Sequence, residues 1–126
     1  MPERAFILTE PIAQAEWTIA VIVRNGRSRA AEYIGSLSAP DSKRLTGLLR
    51  RMAQAGPPAN LQENRKLDDD IWELKSLQQR LLYFTDGPRR IVITHGFTKK
   101  QQKTPPAEIA RARRMLVEYQ QSNGGE

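Results

Sequence analysis

The stretch 71-IWELKSLQQRLLYFTDGPRRIVITHGF-97 decides the fold that this sequence predicts. It holds three runs rich in β-branched, aromatic and other apolar residues, a composition typical of strands. The runs are 71-IWELKS-76, 80-RLLYFT-85 and 90-RIVITHGF-97. Because only short connections separate them, including the turn 86-DGP-88, they are predicted to pair as an antiparallel meander.

The residues before the meander predict one more strand and two helices. The β-branched run 17-WTIAVIVR-24 is apolar on both faces and predicts a largely buried strand. A short helix is predicted over residues 28–37, with Ser28 as its cap. A second helix is predicted to begin at Pro40 and Asp41. Its apolar stripe, at i, i+3, i+4 and i+7, consists of Leu45, Leu48, Leu49 and Met52.

After the meander, Thr104 is predicted as an N-cap and Pro105 as the first residue of a C-terminal helix. The order strand, helix, helix, three strands, helix predicts an α+β fold. We expect a small, twisted, mainly antiparallel sheet with two N-terminal helices and a C-terminal helix, in one domain over residues 1–126. Residues 1–15 are predicted to be either a flexible N-terminal extension or an extra edge segment, and residues 122–126 a frayed tail.

Composition excludes several kinds of site. The chain has no cysteine and one histidine, which excludes disulfides, cysteine nucleophiles and multi-histidine metal centres. The acids 68-DDD-70 are predicted to lie in a solvated loop, and neither a metal nor another cofactor is expected. The net charge of +6 favours a polyanionic partner, although solubility alone could account for it. No apolar run approaches the ~20 residues of a membrane span, so a soluble, cytoplasmic protein is expected.

A basic and aromatic set of residues on the sheet and in the loop after it could carry chemistry. Its members are Lys75, Arg80, Tyr83, His95, Lys99, Lys100 and Lys103. Such groups can cleave RNA without a metal. The 2′-hydroxyl attacks the adjacent phosphorus, a base and an acid move protons, and cations stabilise the developing charge. Neighbouring positive charges lower the pKa of lysine and tyrosine, which favours action as a base.

His95 also has a structural interpretation. Strand alternation places it on one face with Ile91, Ile93 and Phe97, which favours a core or strand-end histidine. The third strand therefore predicts an apolar face that carries the only imidazole of the chain.

The other members of the set have structural interpretations too. Tyr83 is predicted to be half-buried in its strand, and Arg80 could pair with Glu73, which alternation places on the same face as Lys75. The lysines of 99-KKQQK-103 are expected to be exposed, as phosphate contacts require. The residues alone thus predict a basic α+β domain that could bind RNA.

The C-terminal half resembles a known family. The runs 71-IWELKS-76, 80-RLLYF-84 and 90-RIVITHGFTKKQQKTPPAEIARAR-113 are similar to phage-derived, HigB-like toxins of the RelE/ParE superfamily. The most specific part is 95-HGFTKK-100 with 103-KTP-105 and the helix that follows. The resemblance implies a type II toxin that cuts mRNA on the ribosome, a sheet with helices on one side, and an antitoxin partner, often a helix-turn-helix protein.

The resemblance also implies roles for individual residues. Family members commonly have arginine where Lys75 stands, and Arg80 matches an arginine that opens the next strand. The implied catalytic residues are Arg80, Tyr83, His95 and Lys100. The implied RNA- and phosphate-binding residues are Lys75, Lys99, Lys103 and Thr104. Two alternatives stay open, namely a non-catalytic phage-derived binding protein and a ParE-like toxin that acts on gyrase.

Overall fold

The computed structural model describes residues 4–7 and 16–123. The strands are β1 (Arg4–Ile7), β2 (Thr18–Val23), β3 (Asn64–Lys66), β4 (Trp72–Ser76), β5 (Gln79–Thr85) and β6 (Arg90–Thr98), and the helices are α1 (Arg29–Ser36), α2 (Ala39–Ala55) and α3 (Pro106–Asn123). These strands form one sheet in the order β1-β2-β6-β5-β4-β3. All neighbours are antiparallel except β2 and β6, which are parallel. The α+β fold and the meander β4-β5-β6 are confirmed.

The two N-terminal helices begin and end at residues suited to those positions. Ser28 caps α1 by accepting a hydrogen bond from the backbone of Ala31, and Ser38 caps α2 in the same way. The chain leaves α2 at Gly56, where φ is +86°. A Cβ there would lie 2.8 Å from the ring of Trp17, so the close approach of this ring also requires glycine.

Helices cover both faces of the sheet, so the implied arrangement with helices on one side is wrong. One core joins α1 and α2 to the face that carries Ile19, Val21 and Leu74. A second core joins α3 to the opposite face, which carries Ile22 and Phe84. The physical reason is that the central strands are apolar on both faces, so each face of the sheet must be covered by a helix.

The edge strands β1 and β3 lack the patterns that predict the other strands. No strand is predicted between the second helix and β4, yet residues 64–66 pair with β4 as β3. At the other edge, residues 4–7 pair with β2 as β1, in agreement with the edge-segment alternative. The predicted flexible extension otherwise concerns residues 1–3 and 8–15, which lie outside the described residues. Three-residue and four-residue edge strands are held by backbone hydrogen bonds, so they need no apolar alternation.

The C-terminal helix begins later and ends later than predicted. It starts at Pro106, so Thr104 is not its N-cap and Pro105 is not its first residue. The hydroxyl of Thr104 instead donates a hydrogen bond to the carboxylate of Glu73. The helix continues to Asn123, within the predicted tail, and residues 124–126 lie outside the described residues.

Candidate functional site

One end of the sheet brings together three of the predicted cations. Lys75 of β4 and Arg80 of β5 are directly opposed cross-strand partners. Arg80 is opposed in turn by Phe97 of β6. Just after β6, the backbone N–H of Lys99 donates a 2.8 Å hydrogen bond to the carbonyl of Gln78 in the β4–β5 turn. Lys75, Arg80 and Lys99 therefore lie at the same end of the sheet.

Arg80 is held mainly by its own turn. Its side chain is buried, and Nη1 donates hydrogen bonds to the carbonyls of Leu77, at 2.5 Å, and Gln79, at 3.0 Å. Its Nε lies 3.7 Å from Oε1 of Glu73, which confirms the predicted ion pair. Burial lowers the pKa of Arg80. The guanidinium thus orders the β4–β5 turn, where Leu77 has φ of +54°. Only part of the guanidinium faces solvent.

Glu73 is a buried carboxylate within this cationic end of the sheet. Its side chain is 1% exposed, and it accepts the hydrogen bond from Thr104 while pairing with Arg80. A buried charge requires such partners because leaving water is costly. Glu73 of β4 therefore links Thr104, in the segment that leads into α3, to Arg80 of β5. The sequence motif W-E-L-K contains this residue, and alternation places it correctly, but only the fold indicates its partners.

Lys75 lies in a cluster of positive charges. Burial lowers the pKa of Lys75, Glu73 opposes that shift, and the charges of Arg80, Arg65 and Lys99 lower it further. Arg65 stands on β3 opposite Glu73, at the edge of the sheet. Its contribution was not predicted, because β3 itself carries no sequence signal beyond its short polar run.

An open cleft lies between the β4–β5 turn and the exit loop, residues 99–105. It is lined by Gln78, Arg80, Lys99, Lys100, Gln101 and Gln102. Lys100 is exposed there, whereas Lys103 is exposed outside this lining. We use the name basic rim for Arg65, Lys75, Arg80, Lys99 and Lys100. An open, polar, cationic cleft suits a sugar-phosphate backbone, which presents regularly spaced negative charges.

Tyr83 lies away from the basic rim. It stands on the face covered by α1 and α2, and it is 2% exposed rather than half-buried as predicted. Its hydroxyl donates a 2.6 Å hydrogen bond to Oδ1 of Asn64, whose Nδ2 donates to the carbonyl of Pro58. Burial raises the pKa of Tyr83. This geometry favours a structural role, in which the hydroxyl ties β5 to the start of β3.

The predicted face of His95 is wrong. The pairing of β5 with β6 skips one residue, since Leu82 is opposite His95 whereas Tyr83 is opposite Ile93. Thr94 is therefore the extra residue of a β-bulge, which reverses the alternation of the strand beyond it. Ile93 stays in the core beneath α1 and α2, whereas His95 faces α3.

His95 is engaged on both ring nitrogens. Nε2 lies 2.9 Å from Oε1 of Glu108 on α3, and Nδ1 lies 3.0 Å from the hydroxyl of Thr94. Burial lowers the pKa of His95, the hydrogen bond and charge of Glu108 oppose that shift, and the charges of Arg111 and Arg29 add to it. Nε2 faces the carboxylate of Glu108, which can only accept, and the hydroxyl of Thr94 donates its own proton to the carbonyl of Leu82 at 3.2 Å. His95 is thus buried behind α3, on the same face as Arg80 but without access to the cleft.

The acidic residues of the described chain do not form a metal site. Residues 4–7 and 16–123 contain no group of three or more histidine, aspartate or glutamate side chains placed to hold an ion. Asp68, the first of the three consecutive aspartates, instead forms an ion pair with Arg113 of α3 at 2.8 Å.

The fold and the basic rim define a small basic α+β domain with an open cationic cleft at one end of its sheet. A family model described as phage-derived protein Gp49-like (DUF891) matches residues 32–117, which is more than half of the chain. The chain therefore belongs to the phage-derived Gp49-like family, and this membership is consistent with the toxin of a toxin–antitoxin pair. No curated protein matches the chain. None of the helices in the described residues has the length and apolar character to cross a membrane.

Proposed function

We propose that the protein is the toxin of a type II toxin–antitoxin system and an endoribonuclease that cuts mRNA on the ribosome. The single observation that carries this proposal is the convergence of Lys75, Arg80 and Lys99 beside an open cleft. Their positive charges would neutralise the phosphate that is attacked. The family membership supports a toxin in general, and the resemblance of the exit loop to HigB-like toxins supports RNA as the target.

The proposed reaction requires no metal. The 2′-hydroxyl of one nucleotide attacks the adjacent phosphorus, the bond from phosphorus to the 5′-oxygen breaks, and the products are a 2′,3′-cyclic phosphate and a 5′-hydroxyl end. Lys75 and Arg80 stabilise the charge of the transition state. We assign both proton transfers to the lysine amines of the cleft. Lys99 accepts the proton of the 2′-hydroxyl, and Lys100 protonates the leaving 5′-oxygen.

The assignment to lysines follows from the positions of the other two candidates. Tyr83 is buried on the opposite face and its hydroxyl is engaged with Asn64. His95 is buried behind α3 and engaged with Glu108. Lys100 is the exposed cation at the cleft, and an exposed side chain can reach a phosphate without any rearrangement of the core.

The test is induction of the protein in growing cells, followed by mapping of RNA ends. The expected result is growth arrest with new 5′-hydroxyl ends confined to translated messages. A matched pair of variants, Lys100→Ala and Lys103→Ala, compares a lysine inside the cleft with one outside its lining. Growth arrest without new RNA ends would refute the nuclease, and DNA damage in its place would indicate action on gyrase.

A non-catalytic binding protein is the second candidate function. The observation that favours it is that Arg80, Tyr83 and His95 are all buried and bonded within the fold. Such a protein would use the basic rim only to hold a polyanion. Purified protein that binds RNA but leaves it intact, both alone and with translating ribosomes, would favour this second candidate.

A further inference from the structure

A second cationic cavity lies on the α3 face of the sheet, between the β2–α1 turn and α3. Its volume is about 350 Å³, which is within the range of small-molecule pockets. Every cation that lines it is an arginine, in contrast to the mainly lysine cleft of the basic rim. These are Arg24, Arg27, Arg29, Arg111 and Arg114. We call this cavity the arginine pocket.

The acids of the pocket pair with two of its arginines. Glu118 pairs with Arg24 at 2.9 Å, and Glu32 pairs with Arg27 at 2.7 Å. With five arginines and two glutamates, the lining keeps an excess of three positive charges. Arg111 contacts Glu108 at 3.4 Å, outside the lining.

Two arginines of the pocket have no such partner. Within residues 4–7 and 16–123, neither Arg29 nor Arg114 forms an ion pair or a side-chain hydrogen bond. Arg29 opens α1 and Arg114 lies on α3, so the two arginines line the cavity from different helices. Two unpaired guanidinium groups in one cavity can hold an anion, since each presents a planar fork of donors that matches phosphate.

The floor of the pocket is apolar. Met115 of α3 is half-buried there and packs against the core cluster that contains Ile22 of β2. A bare phosphate would leave this floor unused, whereas a nucleobase would cover it, and guanidinium planes can also stack on bases. The combination of unpaired arginines, an apolar floor and this volume indicates a ligand with both a phosphate and a base.

We propose that the arginine pocket binds one nucleotide, with its phosphate at Arg29 and Arg114 and its base against Met115. The nucleotide could come from an RNA strand or from free solution. The choice of RNA as its source rests on the proposed function. Because β2 runs parallel to β6, the β2–α1 turn lies at the same end of the sheet as the exit loop. A strand held by the basic rim could therefore continue around the start of α3 into the pocket.

The test is an NMR titration of the isotope-labelled full chain with three small probes, adenosine 5′-monophosphate, adenosine and inorganic phosphate. A fourth probe is a 2′-O-methyl oligoadenylate of about ten nucleotides, a length suited to single-strand binding sites. It lacks the attacking hydroxyl and cannot be cleaved, so binding is read independently of any nuclease activity. A decaglutamate peptide serves as a polyanion without bases.

The test variant is Arg29→Gln with Arg114→Gln, and the matched control is Lys43→Gln with Arg50→Gln on α2, beyond the opposite face of the sheet. The test variant is expected to weaken binding of the nucleotide and of the oligonucleotide about tenfold, the equivalent of 1.4 kcal/mol. Loss of two phosphate contacts also lowers the salt dependence of oligonucleotide binding, by about 0.7 per contact on logarithmic axes. The control is expected to bind as the wild type does. All four arginine and lysine side chains are exposed, and thermal unfolding checks that each variant is folded.

Three outcomes would overturn the inference. They are unchanged binding of both nucleotide probes by the test variant, loss of decaglutamate binding alone, and equal affinity for phosphate and the mononucleotide. Loss of mononucleotide binding alone supports the pocket and assigns it to free nucleotides. If the wild type binds as expected here but cuts no RNA in cells, the proposed function fails and the pocket stands.

Discussion

His95 and Glu108 join β6 to the first turn of α3, with 2.9 Å between Nε2 of the imidazole and Oε1 of the carboxylate. The histidine is 2% exposed, so the pair lies at the boundary of the core and not in the open cleft. Its position depends on the bulge at Thr94, which directs the ring toward α3. The pair thus fixes the beginning of α3. It thereby also fixes the C-terminal end of the exit loop, whose first residues are Lys99 and Lys100.

The first prediction concerns the pH dependence of stability. Burial lowers the pKa of His95 below its ordinary value of 6.5, so the unfolded chain binds a proton more readily than the folded chain. The contribution of His95 to stability is therefore present above pH 6.5 and is lost as the pH falls through the lower pKa of the folded state. Urea unfolding at pH 7.5 and at pH 5.5 is expected to give a lower free energy of unfolding at the acidic value.

The control for this prediction is His95→Gln, which has no titratable group at this position. Its free energy of unfolding should change much less between the two pH values, because the pKa values of Glu63 and Asp68 are lowered and act at more acidic pH. An equal pH dependence in both proteins would show that His95 is not the responsible group.

The second prediction concerns the buried carboxylate of Glu73. Glu73→Ala leaves the buried guanidinium of Arg80 without its acidic partner, and we expect a loss of about 3 kcal/mol in the free energy of unfolding. Thr104→Val removes one hydrogen bond to the same carboxylate and should cost about 1 kcal/mol. Chemical denaturation measures both. Equal losses in the two variants would contradict the importance of the ion pair.

The third prediction separates proton transfer from charge. Lys100→Arg keeps the positive charge but replaces the amine with a group that does not lose a proton, so RNA cleavage should fall by roughly 100-fold while RNA binding persists. Lys75→Arg should retain most of the cleavage, because its proposed role is electrostatic. Cleavage and binding are measured on purified variants with translating ribosomes. If Lys75→Arg lost cleavage and Lys100→Arg retained it, proton transfer would be assigned to Lys75 and the electrostatic role to Lys100.

The fourth prediction concerns the contact between Gly96 and α1. A Cβ on Gly96 would lie 2.3 Å from the ring of Tyr33 and 2.8 Å from Leu81, so Gly96→Ala should destabilise the protein by about 1–3 kcal/mol. Gly35→Ala is the matched control, since nothing lies within 4 Å of the added methyl group and alanine favours the helix. Thermal unfolding should move in opposite directions for the two variants. A stable Gly96→Ala protein would mean that Tyr33 can move away without loss.

The regular parts of the fold follow from sequence patterns, and the exceptions have physical causes. The stripe of α2 is predictable because its apolar residues recur at the helical period, and the meander is predictable because its runs of β-branched, aromatic and apolar residues are separated by short turns. The bulge at Thr94 is not readable, because it depends on how β5 and β6 pair, and it alone decides the face of His95. Whether α3 packs on the same side as α2 is also a tertiary choice, since either face of the sheet could receive it.

The sequence likewise predicts some residues of the candidate site and not others. Charge type and motif predict Lys75, Arg80, Lys99 and Lys100, and the fold brings these residues to one end of the sheet. Charge type and motif do not predict the contribution of Arg65, because its strand, β3, has no apolar alternation. The partners of Glu73, and the burial of Tyr83, depend on contacts between segments far apart in the chain.

The parallel pairing of β2 with β6 has a consequence for the order in which the protein can form during synthesis. β2 is made early, but its partner β6 ends at Thr98, so this central pairing must wait until most of the chain has left the ribosome. The basic rim requires the same late segment, because Lys99 and Lys100 follow β6 directly. A nascent chain would therefore carry an incomplete cationic cleft while it is still attached to the ribosome that makes it. Under the proposed function, such a delay would spare the ribosome that synthesises the protein.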